Sequence, residues 1–89
     1  MASKTVKVGS SVGLHARPAT VIAEAAGDFD EDILLTLVGE EDEDPTDAAS
    51  SLEIMAMGAE CGDEVVVTSE NAEAVEKIAA LIERDLDAE

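Results

Sequence analysis

The stretch KTVKVGSSVGLHARPATVIAEAAG, residues 4–27, reads as a strand, a loop and a helix in succession. Lys4 to Val8 alternates, with Val6 and Val8 on one face and Lys7 on the other, the period of a half-buried strand. Gly9-Ser10-Ser11-Val12-Gly13 is rich in small residues and predicts a loop. From Ala16 to Ala26 the period changes. Ala19, Ile22, Ala23 and Ala26 fall at i, i+3, i+4 and i+7, one face of a helix. Pro18 sits in the first turn, where a missing N–H costs nothing, and Gly27 is the expected C′ stop.

The same punctuation continues downstream. Ile33, Leu35 and Leu37 alternate through Asp32–Val38, a second strand that Gly39 ends. Glu40 to Asp47 carries six acids and reads as a solvated loop, with a short edge strand expected at its start. Ser50-Ser51-Leu52-Glu53 is a capping-box pattern. It opens a short helix through Ile54, Met55 and Met57 that Gly58 closes, with Ile54 and Met57 expected in the core. Glu60-Cys61-Gly62-Asp63 is a turn, and Glu64 to Thr68 is a strand by its β-branched content. Ser69 or Asn71 can cap the last helix, whose apolar stripe is Val75, Ile78, Ala79, Ile82 and Leu86. The order is β-α-β-β-α-β-α, with no internal repeat. Helices with one apolar stripe and strands with one apolar face assemble most simply as an α+β two-layer sandwich. A chain of 89 residues is sized for one domain, residues 1–89.

Charge sets the function classes aside more sharply than length does. Five Lys and Arg against 22 Asp and Glu give a net charge of −17. Nucleic acid and anionic membrane surfaces both require the opposite sign. No apolar run reaches spanning length and the N-terminus lacks a signal-peptide core, so the expected location is the cytoplasm. One cysteine, Cys61, and one histidine, His15, supply neither an internal disulfide nor a metal ligand set. No metal or cofactor is expected. The acids begin only at Glu24: the preceding residues hold Lys4, Lys7 and Arg17 and no acid, and the sole histidine lies among them. With 46% hydrophobic residues in clear periods, the acidic remainder is not a disordered tail. It reads as the coat of a domain adapted to concentrated salt, where a Debye length of ~3 Å at 1 M suppresses self-repulsion.

His15 stands at the end of the small-residue loop, directly before the first helix. A helix N-terminus presents N–H groups without intrahelical acceptors and about half a positive charge, a ready place for an anion. The backbone N–H groups of Ala16 and Arg17 lie there, and the Arg17 guanidinium adds a fixed cation with a fork of donors suited to phosphate. A neutral imidazole at this place is a nucleophile. Once phosphorylated, the group gains negative charge that the same donors stabilise. These residues therefore suit a histidine that accepts a phosphoryl group and passes it on.

The segment Gly13-Leu14-His15-Ala16-Arg17-Pro18-Ala19 closely resembles the active-site segment of the HPr family, the histidine phosphocarriers of the phosphoenolpyruvate-dependent sugar phosphotransferase system. The likeness extends to the element order, to the run from Ser50 to Gly58 and to the Cys61-Gly62 turn. It implies an open-faced two-layer sandwich: an antiparallel four-stranded sheet with three helices on one face. It further implies that His15 takes a phosphoryl group on Nδ1 from enzyme I and hands it to an enzyme IIA domain of a fructose or dihydroxyacetone system. Arg17 would steady the group. Leu52 and Met55 would form an apolar docking patch with Thr20 and Ser51 at its edge. Ser50 matches a serine that a regulatory kinase phosphorylates in some bacterial members. Such a carrier is not a free-standing enzyme, and a monomer is expected.

Three departures stand out. The acidic loop is several residues longer than the family's usual connection, Ala49 replaces the basic residue that commonly precedes the regulatory serine, and Glu24 lies on the first helix. Docking is therefore expected to rest on apolar contact more than on charge. Two other classes fit parts of the pattern. One is a regulator acting through Ser50, although Ser50-x-x-Glu53 is fully explained as a helix cap. The other is a metabolite-binding α+β module that never carries phosphate.

Overall fold

The computed structural model describes residues 2–9, 13–40, 42 and 44–84. Its elements are β1 (Ala2–Lys7), α1 (Ala16–Ala26), β2 (Ile33–Leu37), β3 (Thr46–Asp47), α2 (Ser51–Met57), β4 (Glu64–Ser69) and α3 (Ala72–Glu83). The four strands form one sheet in the order β1-β4-β2-β3, antiparallel throughout. β4 is the centre of the register: Val67 faces Lys4 on one side and Leu35 on the other. The three helices pack over one face of this sheet, which is the architecture expected from the periodicity.

The strands bury alternate residues, as a sheet covered on one face must. Val6, Ile33, Leu35, Val65 and Val67 point into the helix layer and are buried. From the helices, Ala19, Ile22, Ile54, Val75, Ile78, Ala79 and Ile82 meet them in one cluster. With so few aromatics, the core closes through small and branched aliphatics, and alanines let the helices approach the sheet. An ion pair ties the layers at the edge: Lys4 Nζ lies 3.2 Å from Glu76 Oε1 on α3. That pair is exposed and contributes little.

Caps settle where the helices begin. The Ser50 hydroxyl accepts from Glu53 N–H at 3.3 Å, whereas the Glu53 carboxylate reaches Asp47 N–H rather than closing a reciprocal box on Ser50. Asn71, not Ser69, caps α3, its Oδ1 accepting from the N–H groups of Glu73 and Ala74. Ser69 is wholly buried, and its hydroxyl accepts from Asn71 N–H, so it braces the residue that makes the cap.

Several expectations are corrected. The edge strand β3 lies at the end of the acidic segment, not its start, because Thr46 and Asp47 are the residues that reach β2. α1 ends before Gly27 as expected, but Gly27 does not enter the left-handed region; it keeps right-handed backbone with φ −66°, its N–H donating to the Ala23 carbonyl and the Asp28 N–H to the Ala25 carbonyl. Met57 is only half-buried, since it sits in the last turn of α2 at the open edge of the core. Strand β1 starts two residues earlier than the alternation from Lys4 suggested, because Ala2 and Ser3 continue the ladder to Ser69 and Thr68. Leu86 lies outside the described residues.

Candidate phosphoryl-accepting site

His15 is the N-cap of α1, with extended backbone (φ −93°, ψ −156°), and its exposed side chain makes no capping hydrogen bond. The imidazole is thus not used to finish the helix. Its carbonyl is, accepting from Ala19 N–H at 2.9 Å. The first turn contains no acid. It does contain Arg17, exposed beside the cap, and Pro18, buried, whose ring removes one N–H from the turn. A negative group beside His15 would therefore meet a helix N-terminus and a guanidinium on the same turn.

The loop that delivers His15 is fastened at both ends. At its start, Gly9 N–H donates to the Ile82 carbonyl at the end of α3, and a Cβ at Gly9 would run into the Glu83 carbonyl. At its finish, Leu14 is buried in the core and its N–H donates to the Ala59 carbonyl at 2.9 Å. The fold places an exposed histidine immediately after a fully anchored leucine.

The remaining expected residues divide between α1 and α2, which pack against each other. On α1, Thr20 is exposed and its hydroxyl donates back to the Ala16 carbonyl at 2.8 Å. On α2, Leu52 is 76% exposed, Ser51 and Met55 are half-buried, and Ile54 is fully buried. Helical spacing alone left Leu52 and Met55 undecided between core and surface. The structure separates them: Ile54 takes the inward position, so Leu52 must turn outward. Cys61 is exposed in the turn before β4. Glu24 is exposed on α1. A cavity of about 200 Å³ lies between β2, the acidic segment and α2, lined by Leu37, Glu40, Asp44 and Met57 among others, and holds none of the candidate residues. Among the described residues, no helix is long and apolar enough to cross a membrane, and no group of three or more His, Cys, Asp or Glu is placed to hold a metal ion.

The family model described as "PTS HPr component phosphorylation site" matches residues 2–84. This chain belongs to the HPr family. It is similar to the phosphocarrier protein HPr of Treponema pallidum, 38% identical over 81 residues that cover 91% of this chain and 88% of the relative. It is also 38% identical over 90 residues to the phosphocarrier protein HPr of Streptomyces coelicolor, covering 98% of this chain and 94% of that protein. Among solved structures, the phosphocarrier protein HPr of Bacillus anthracis superposes with a TM-score of 0.80 at 31% identity, over 91% of this chain and 95% of its own. The three-helix, four-strand open sheet is thus the HPr fold, and the chain is an HPr-type phosphocarrier of the phosphotransferase system.

Thr20 could not be placed from sequence beyond its family position, because nothing local distinguishes it from any helix-surface threonine. Gly9 and Ala59 were missed as contributors to the site. Both act through backbone contacts between segments far apart in the chain, and a contact of that kind leaves no periodic signal.

Proposed function

We propose that His15 is the phosphoryl acceptor and that this chain, one HPr-type unit over residues 1–89, relays the group from enzyme I to an enzyme IIA domain of a fructose or dihydroxyacetone system. The observation that carries this reading is an exposed imidazole, unused as a cap, at the start of a helix with no acid in its first turn. The lone pair of Nδ1 forms the N–P bond as the donor's bond to phosphorus breaks. The reverse exchange then releases the group to the acceptor. Only the phosphoryl group changes hands, so a surface site serves and an enclosing cavity is not needed. Arg17 and the backbone N–H groups of Ala16 and Arg17 stabilise the charge that arrives.

Partner recognition in this reading belongs to Leu52 and Met55, with Thr20 and Ser51 at the edge, and rests on apolar burial. The relay runs in the cytoplasm and the carrier acts as a monomer. Ser50 serves as the cap of α2, which accounts for its hydroxyl without a regulatory role.

A reconstituted relay tests this. His15→Ala is expected to fold and to abolish transfer from phosphorylated enzyme I to the IIA domain, while Ser50→Ala transfers normally. Normal relay by His15→Ala would overturn the proposal.

A further inference from the structure

We infer that Gly13 and Ala59 are positioning residues that fix the reach between His15 and helix α2. The inference rests on the reading of His15 as acceptor and of α2 as docking helix. Gly13 has φ +80°, the left-handed region, and precedes His15 by two residues. A Cβ built on it would lie 2.6 Å from the Ala59 carbonyl oxygen and 3.0 Å from the Glu60 Cα. Both neighbours are backbone, so they cannot swing away as the end of a flexible side chain can. The adjacent Leu14 N–H donates to that same Ala59 oxygen at 2.9 Å. Ala59 is itself wholly buried, two residues beyond the end of α2, and Gly58 N–H holds the Met55 carbonyl at that helix's end. An unbroken run of backbone contacts therefore connects the residue before His15 to the helix that bears Leu52. A donor seated on Leu52 finds the imidazole only if this spacing is kept.

The consequence is specific. Displacing residue 13 leaves the exposed patch on α2 and the imidazole both intact but changes the distance between them. Transfer from a docked protein donor then suffers, and phosphorylation by a small freely diffusing donor does not. A misplacement of about 1 Å can cost up to ~100-fold in a positioned reaction.

Gly13→Ala in the full chain is compared with Gly39→Ala, which also has a positive φ, +100°, but whose added Cβ would meet nothing within 4 Å. Two donors are used: phosphorylated enzyme I and phosphoramidate. For Gly13→Ala we expect kcat with enzyme I to fall at least about tenfold with KM within twofold, and the phosphoramidate rate to be unchanged. Gly39→Ala should match the parent in both. If Gly13→Ala does not fold, Ala59→Gly, which removes the buried methyl that seats the Ala59 carbonyl in the core, is expected to lower kcat about threefold with the same donor selectivity. Equal loss with both donors, a rise in KM alone, or parental kinetics would overturn the inference. Failure of the parent itself to label on His15 would instead overturn the reading of the acceptor.

Discussion

Leu52→Ala separates docking from folding more cleanly than any other single change. The side chain is 76% exposed, so most of its apolar surface is still in water in the free protein. Full burial of a leucine side chain contributes ~2 kcal/mol, and about three-quarters of that, ~1.5 kcal/mol, remains to be gained when a partner covers it. That difference is about tenfold in affinity. The folded state loses almost nothing, because an exposed substitution away from caps and core changes stability by no more than ~0.5 kcal/mol. Ile54, two positions on and fully buried, gives the opposite case. Ile54→Ala should cost ~3 kcal/mol and lower the melting temperature by more than ~10 °C. The assay is steady-state transfer from enzyme I together with thermal unfolding of the same samples. Leu52→Ala should raise KM about tenfold with an unchanged Tm. A Tm lowered by several degrees, or a parental KM, would refute the assignment of Leu52 to a partner-facing patch.

Three further outcomes follow from the caps and the charge. Asn71→Ala removes the acceptor for two N–H groups at the start of α3 and should cost ~1 kcal/mol, about 4–8 °C in Tm by calorimetry. Ser50→Ala should lose a similar ~1 kcal/mol, and Ser50→Asp should recover it, since aspartate caps a helix as well as serine does; a drop in Tm for both would mean Ser50 does more than cap α2. A chain of net charge −17 should unfold at higher temperature as KCl is raised toward 1 M, where the Debye length is ~3 Å; a Tm independent of salt would remove the case for salt adaptation.

The fold was largely legible because its signals are local. The 3.6-residue stripe of α1 and α3, the alternation of β2 and the Ser50 cap each depend on residues a few positions apart. The place of His15 at the start of α1 was legible for the same reason: a loop of small residues, a helix start and an arginine sit within one short segment. What escaped depends on tertiary contact. The edge strand falls at Thr46–Asp47 because of where β2 offers its edge, which no pattern inside the acidic segment encodes. The choice between Leu52 and Met55 needed the direction of α2 against the core, and only the burial of Ile54 supplied it. The role of Gly13 could be read as a turn glycine from sequence. Its contact with Ala59, 46 residues later in the chain, could not.

The most direct measurement is the chemical identity of the phosphorylated atom. The protein is incubated with enzyme I and phosphoenolpyruvate, and the modified residue is located by mass spectrometry of its peptides and by phosphorus NMR. The account predicts one acid-labile phosphoryl group, bonded to Nδ1 of His15 and absent from His15→Ala. An acid-stable group on Ser50, or no modification at all, would contradict it.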